Sequence, residues 1–146
     1  MGLSKPALCS RTDIAVFRAA TGHWFVLQSS GQFTTHRTWQ WGTVGDVPVA
    51  SDYDGDGSID LAIYRPSTGG WYILTSGSNF TAGDGYVWGA DVPVPADYDG
   101  DGRTDIAVYR RPTGHRFILE SSARFTRFST YESPAASDAV PVLKQP

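Results

Sequence analysis

Short apolar runs separated by turn-forming residues recur along the whole chain. They are about four residues long and rich in β-branched and aromatic side chains, for example IAVF at 14–17, WFVL at 24–27, LAIY at 61–64 and WYIL at 71–74. Such runs are typical of β-strands. Alternation along the third run places Leu61 and Ile63 on one face and Ala62 and Tyr64 on the other. Both faces are apolar, so we expect each sheet to be covered on both sides.

These runs belong to a longer sequence repeat. DYDGDGSIDLAIYRPSTGGWYIL starts at Asp52, and DYDGDGRTDIAVYRRPTGHRFIL starts at Asp97, 45 residues later. A third copy, TDIAVFRAATGHWFVL, starts at Thr12 and lacks the aspartate-rich prefix. A period of this size indicates a repeat architecture in which each unit packs on its neighbours.

Each unit predicts four short strands. The first strand is VPVASDY or VPVPADY. The second is one of the apolar runs at 14–17, 61–64 and 106–109, and the third is the run after each Thr-Gly turn. The fourth ends near Trp41-Gly42 or Trp88-Gly89, whereas the third unit has Tyr131 near the place of Trp88. We therefore predict an all-β β-propeller of three four-stranded blades of about 45 residues, in preference to an open sandwich.

The predicted boundaries follow the repeats. Residues 1–10 form a disordered or adapted N-terminal segment, 11–142 the three-blade array (about 11–43, 44–89 and 90–133, with a closing strand at about 138–143), and 143–146 a tail. The array starts on a second strand and ends at Val140-Pro141-Val142, which matches a first strand. Three blades are too few for a ring. We expect a homodimer that completes a six-bladed ring; the alternative is a piece of a longer propeller.

Two aspartate-rich loops carry the candidate chemistry. Carboxylates stand at loop positions 1, 3, 5 and 9, and glycines between them allow the backbone to coil so that alternate positions converge. Position 7 contributes its carbonyl, from Ser58 or Arg103. Oxygen ligands in a flexible loop suit Ca²⁺ better than Mg²⁺, which predicts two Ca²⁺ sites per chain; the alternative is a pair of metal-free Asp-Gly turns. The carboxylates are Asp52, Asp54, Asp56, Asp60, Asp97, Asp99, Asp101 and Asp105.

An EF-hand shares the beginning of this pattern. Its bidentate glutamate at position 12 would fall at Ile63 and Val108, both apolar, and the residues after each loop predict a strand instead of a helix. The EF-hand is therefore excluded.

With these loops, the sequence resembles the FG-GAP/VCBS repeats of integrin-like β-propellers over roughly residues 11–142. The resemblance implies a Ca²⁺ loop between the first and second strands of a blade, with the eight aspartates and the carbonyls of Ser58 and Arg103 as ligands. It also implies an extracellular or cell-surface location, as in adhesion proteins and some lectins. The first unit keeps only Asp13 of the four carboxylates, so we expect no metal there.

Composition and charge exclude several classes of partner. The net charge is −3 and the basic residues are scattered, so we expect no nucleic-acid ligand. No apolar run is long enough to insert into a membrane. The single cysteine, Cys9, excludes an internal disulfide.

Exposed tryptophans are candidate platforms for a carbohydrate ligand, because an aromatic face can stack on a sugar. The candidates are Trp24, Trp39, Trp71 and Trp88, and packing between blades is the alternative for each. No catalytic arrangement of nucleophile and base is recognisable. The sequence therefore predicts a calcium-binding, non-enzymatic module for recognition of carbohydrate or protein. The alternatives are a purely structural or assembly repeat, or part of a secreted polysaccharide-active enzyme.

Overall fold

The computed structural model describes residues 13–133. The predicted N-terminal segment, the closing strand at 138–143, the tail and Cys9 lie outside these residues. Within them, the only helix is a single 3-10 turn at Ser29–Gly31. The strands are β1 Ile14–Arg18, β2 His23–Leu27, β3 His36–Gln40, β4 Val47–Pro48, β5 Leu61–Arg65, β6 Gly70–Leu74, β7 Gly83–Val87, β8 Val92–Pro93, β9 Ile106–Arg110, β10 His115–Leu119 and β11 Phe128–Glu132.

The strands form three antiparallel sheets, which confirms the all-β prediction. Their orders are β1-β2-β3, β4-β5-β6-β7 and β8-β9-β10-β11, so every neighbour in a sheet is also the neighbour in sequence. The second and third sheets have the four predicted strands, whereas the first has three within the part of the chain described. The third unit forms its fourth strand, β11, although it lacks the Trp-Gly ending. No helix in residues 13–133 is long and apolar enough to cross a membrane.

The Thr-Gly hairpins form as predicted. In the first, the N–H of Gly22 donates to the carbonyl of Arg18 at 2.9 Å, and Gly22 has a φ of 68°. In the second, a Cβ on Gly69 would lie 2.2 Å from the carbonyl oxygen of Gly89. Glycine is required here both for the left-handed backbone and for the close approach of the chain that follows the fourth strand.

In the third unit, Tyr131 lies two residues before the position equivalent to Trp88. Tyr131 pairs with the second residue of β10, the place that Tyr86 has opposite β6. Ser133 takes the place of Trp88, because its N–H donates to the carbonyl of the hairpin residue Gly114 at 3.0 Å. The ladder fixes the register through backbone hydrogen bonds, so it identifies the equivalent residue, which the match of one aromatic residue to another locates only approximately.

Strand β5 joins the three sheets because both of its faces are apolar. Leu61 and Ile63 pack in one cluster with Trp24 of the first sheet. The opposite face of β5, which includes Tyr64, packs with Ile106 of the third sheet. Burial on both faces, predicted from the sequence, therefore holds for the second sheet, where all four apolar residues of β5 are buried.

A tryptophan after the last strand of the first sheet, and another after the last strand of the second sheet, forms a hydrogen bond to the sheet that follows. Trp41 follows β3, and its Nε1 donates to the carbonyl oxygen of Tyr72 in β6 at 3.1 Å. Trp88 follows β7 and donates to the carbonyl oxygen of Phe117 in β10, also at 3.1 Å. An indole N–H that leaves water needs an acceptor, so these bonds fix the neighbouring sheets in a repeated relative position.

The second strand of each repeat unit ends on an arginine, and this arginine lies over an aromatic ring of the next strand in all three units. Arg65 donates through Nε and Nη2 to the two carboxylate oxygens of Asp46, at 2.8 and 2.9 Å, and lies 4.8 Å from the centre of the Tyr72 ring. Arg110 repeats the ion pair with Asp91 at 3.1 Å. Burial raises the pKa of Asp46, but hydrogen bonds from Arg65 and Thr43 outweigh it and hold the pKa below 3.8.

Asp46→Asn should lower the free energy of unfolding at pH 7 by about 1–3 kcal/mol, because a charge-assisted bond to a buried carboxylate is lost. The folded-state pKa of Asp46 is lowered, so its stabilisation is present above the unfolded pKa and is lost as the pH falls through the folded value. Urea titrations should therefore show the difference between variant and wild type shrinking below about pH 4. The control is Asp91→Asn, whose more exposed ion pair is worth less than about 1 kcal/mol. An equal effect of both variants would contradict the expectation.

Ile63→Ala should destabilise the protein by about 2–5 kcal/mol, because it opens a cavity between the first and second sheets. Ile63 is 1% exposed, whereas Val87, on edge strand β7 of the same sheet, is 77% exposed. Val87→Ala is the control and should change the free energy of unfolding by less than about 0.5 kcal/mol. Urea unfolding of both variants measures the contrast, and similar losses would mean that the two sheets do not pack as described.

Candidate metal centres

The first Asp loop, residues 52–60, and the second Asp loop, residues 97–105, have the same coiled backbone conformation. In the first, Oδ1 of Asp52 accepts from the N–H of Gly55 at 2.6 Å and Oδ2 accepts from the N–H of Gly57 at 2.9 Å. Both glycines have positive φ, 80° and 85°, a conformation that disfavours other residues. In the second loop, Asp97 accepts from the glycine N–H groups at 2.7 and 3.0 Å. The side chain at position 1 thus closes a turn that the two glycines permit.

Three carboxylates of each loop converge. Each of them offers an oxygen that lies within 4.8 Å of the oxygens offered by the other two. Two oxygens bound to one Ca²⁺ at 2.3–2.6 Å are at most about 5 Å apart, so the spacing fits a shared ion. The converging groups are Asp52, Asp54 and Asp60 in the first loop and Asp97, Asp99 and Asp105 in the second.

The aspartate at position 9 is the buried anchor of each loop. Asp60 is 0% exposed and accepts the N–H of Tyr53 at 2.7 Å through Oδ2 and the N–H of Ser76 at 2.7 Å through Oδ1. In the second loop, Asp105 accepts from Tyr98 and Ser121 in the same way, at 2.8 and 2.7 Å. Each carboxylate therefore connects its loop to the end of the third strand of the same sheet.

Burial raises the pKa of Asp60, although the hydrogen bonds from Ser76 and Tyr53 oppose this shift. Asp54 adds to the rise because it is a second negative charge nearby. Asp99 behaves differently: its pKa is lowered, chiefly by a hydrogen bond from Ser122, whose Oγ lies 2.6 Å from Oδ2. A cation among these carboxylates would relieve the repulsion between neighbouring charges.

The aspartate at position 5 stands outside the converging groups. Oδ1 of Asp56 accepts from the N–H of Ser58 at 2.7 Å and from Oγ of Ser76 at 3.1 Å. Asp101 accepts from Arg103 N–H at 2.8 Å in the second loop. The structure thus brings together three of the four predicted carboxylates in each loop and leaves Asp56 and Asp101 outside. Metal binding by all eight aspartates and by the carbonyls of Ser58 and Arg103 stays a prediction.

The sequence analysis did not identify a serine that lies two residues after a strand in each unit and donates a hydrogen bond to the aspartate at position 9 or its equivalent. Ser76 and Ser121 donate backbone N–H groups to the position-9 aspartates, and Ser29 donates to Asp13 through its N–H at 2.8 Å and its Oγ at 2.7 Å. In all three units the serine stands 16 residues after the aspartate. This constant spacing was available in the sequence, and it shows that Asp13 keeps the anchoring contact in a unit without the other carboxylates.

The two Asp loops also touch each other. The N–H of Thr104 donates to the carbonyl oxygen of Asp52 at 2.7 Å, and Oγ1 of Thr104 lies 2.6 Å from Oγ of Ser51. The side chain of Arg103 lies against the first loop, since a Cβ on Gly55 would be 2.9 Å from its Nε. The side chain at position 7 therefore places a positive charge beside the neighbouring loop, which the sequence analysis did not foresee.

The tryptophan candidates divide into two pairs. Trp24 and Trp71 are 2% and 0% exposed, and their Nε1 atoms donate to the carbonyl oxygens of Trp41 and Trp88. Neither offers a ring face to a sugar in solution, because both rings lie in the core. Trp39 and Trp88 are half-buried and pack on phenylalanines, with ring centres 4.6 and 5.5 Å apart.

A cavity of about 250 Å³ opens between the second and third sheets, beside the first Asp loop. Tyr86 and Phe125 form one side, with ring centres 4.8 Å apart. Arg103, Arg124, Asp54 and Asp84 place both signs of charge on its lining. The sequence analysis did not predict this cavity, because its residues come from different units.

Comparison with protein families identifies one region. Residues 52–108 match a family model described as FG-GAP-like repeat. The matched range includes both Asp loops and the strands β5, β6 and β7 of the second sheet, while β4 lies before it. Residues 52–108 therefore carry an FG-GAP-like repeat, which confirms the sequence resemblance over that part of the chain. The searches of curated proteins and of solved structures gave no match.

Asp60→Asn should lower the free energy of unfolding by about 2–3 kcal/mol in the presence of a chelator, because one carboxylate oxygen becomes a donor that faces backbone N–H groups. Asp13→Asn is the matched control at the equivalent position of the first unit. Asp13 is exposed and, among residues 13–133, bonds to Ser29 alone, so its replacement should cost less than about 1 kcal/mol. Urea unfolding in EDTA separates this anchoring role from metal binding, and a small effect of Asp60→Asn would refute it.

Proposed function

We propose that the protein is a calcium-binding, non-enzymatic recognition module in which each Asp loop holds one Ca²⁺. The observation that carries this proposal is the convergence of three carboxylates in both loops, with the same residues and spacing in each. In the first loop Asp52, Asp54 and Asp60 would hold the ion. Asp97, Asp99 and Asp105 would hold the second.

Electrostatics supports two cations. The chain has a net charge of −3, and eight of its acidic residues stand in the two loops. Two divalent ions would bring the net charge to about +1 and would neutralise carboxylates that otherwise repel one another. The donor set is made of oxygen atoms only, which suits a hard cation such as Ca²⁺.

The role of the ion in this proposal is structural. Each Asp loop connects the first strand of a sheet to the second, and its position-9 aspartate already binds the end of the third strand through Ser76 or Ser121. The bound ion would hold the exposed positions 1 and 3 against this buried anchor. The turn would then be fixed at the same angle in both units, as repeated packing requires.

We further propose that the three sheets are propeller blades and that two copies form a six-bladed ring at an extracellular or cell-surface location. Support comes from the repeated packing of each sheet on the next and from the FG-GAP-like repeat. The ligand would be a carbohydrate or a protein. The half-buried Trp39 and Trp88 and the cavity beside the first Asp loop are the candidate contact sites.

Calcium should raise the melting temperature and chelator should lower it, because the ion binds the folded state preferentially. For dissociation constants of about 10⁻⁴ to 10⁻³ M, typical of extracellular modules, 10 mM Ca²⁺ stabilises by about 1.4–2.7 kcal/mol per site. Isothermal titration should give two ions per chain, and equimolar Mg²⁺ should have a smaller effect.

The variants Asp54→Ala and Asp99→Ala should each remove one of the two ions. Asp13→Ala is the control and should leave the calcium response unchanged, since the first unit has a single carboxylate. An identical melting curve in Ca²⁺ and EDTA, or a full response of the Asp54→Ala variant, would contradict the proposal.

A further inference from the structure

The second and third sheets each begin with a short edge strand, and the first sheet has no such strand within residues 13–133. In the second sheet β5 lies between β4 and β6, and in the third β9 lies between β8 and β10. The equivalent strand β1 has a neighbour on one side only among residues 13–133. Ile14 and Val16 of β1 are 52% and 58% exposed, whereas the equivalent Leu61 and Ile63 are 1% exposed. In the part of the chain that the structure describes, this edge and face lack the cover that their repeats have.

The strands that close the other sheets share a short sequence. Asp46 precedes Val47-Pro48-Val49, and the same Asp-Val-Pro-Val sequence recurs 45 residues later. Pro48 pairs with Ile63, while Val49 donates its N–H to the carbonyl of Ala62 at 2.8 Å. The proline thus occupies the non-hydrogen-bonded position, where its missing N–H costs nothing.

The chain contains this sequence a third time. Asp138-Ala139-Val140-Pro141-Val142 has the aspartate, with one residue inserted, and the Val-Pro-Val strand; it lies outside the described residues. We propose that this segment of one copy pairs antiparallel with β1 of a second copy. By the register of β4 on β5, Val140 would pair with Phe17, and Pro141 with Val16.

Charge complementarity supports the pairing. Arg65 and Arg110, at the ends of β5 and β9, bind the aspartates that precede β4 and β8. Arg18 ends β1, and in the described part of the chain its guanidinium has only the Phe25 ring, 5.1 Å from the ring centre. Asp138 would supply the carboxylate that this arginine lacks relative to its repeats.

Chain direction favours a second copy as the partner, and this step rests on the two-copy ring proposed above. Residues 41–46 lead from the last strand of the first sheet to the first strand of the second, and 88–91 lead in the same way to the third sheet. Residues 133–139 would lead from β11 to the first strand of a following sheet. In a ring of two copies, that sheet is β1–β3 of the other copy, and a two-fold axis makes the exchange reciprocal.

The pairing does not depend on calcium, so its test is run both in Ca²⁺ and in EDTA. Light scattering coupled to size exclusion should give twice the 15.8 kDa chain mass in both. A mass of one chain at micromolar concentration would overturn the inference, including the case in which the segment folds back on its own copy.

Cysteine pairs test the register. In a Cys9→Ser background, Val16→Cys with Pro141→Cys should form a disulfide-linked dimer on a non-reducing gel, because a non-hydrogen-bonded pair brings the two residues close. Ala15→Cys with Pro141→Cys is the control; Ala15 is one residue out of register and on the opposite face. A monomer with an internal disulfide, or equal cross-linking of the control, would refute the exchanged strand.

Charge reversal tests the ion pair. Arg18→Glu and Asp138→Arg should each weaken dimerisation on the order of tenfold, and the double variant should restore most of the loss. Additive losses in the double variant would show that the two residues do not meet.

Discussion

The anchoring of a buried carboxylate to backbone N–H groups is the interaction on which the repeated unit depends. Asp60 and Asp105 are fully buried, and each accepts hydrogen bonds from its own loop and from the serine two residues after the third strand. A buried charge is tolerated only when it is paired or hydrogen-bonded. The same bonds that satisfy it therefore fix the loop against the sheet and leave the carboxylates at positions 1 and 3 close to the buried one.

Stacking of sheets and candidate metal binding follow from the same local geometry. The loop returns the chain into β5 or β9, strands whose two faces are both apolar and both buried. Trp41 and Trp88 then bridge to the next sheet through their indole N–H groups. The contact between Thr104 and Asp52 places the two loops side by side, so that cations in them would sit at a junction between units.

The first unit shows which parts of the repeat can be lost separately. Asp13 keeps its bonds to Ser29, and β1, β2 and β3 keep their pairing, although three carboxylates and the short first strand are absent from the described residues. Local anchoring is thus enough to form a sheet. Its outer face and edge lack a covering strand within residues 13–133, where Ile14 and Val16 are exposed.

The sequence alone determined the all-β class, the repeat, the hairpins at Thr-Gly pairs and the convergence of most loop carboxylates. These features depend on periodicity, glycine conformation and short spacings, which are local properties of the chain. Tertiary structure decided what depends on neighbouring units: the burial of Trp24 and Trp71, the position of Arg103 on the first Asp loop, and the cavity lined by Tyr86 and Phe125. It also decided the place of Tyr131, because backbone ladders, unlike residue similarity, set the register.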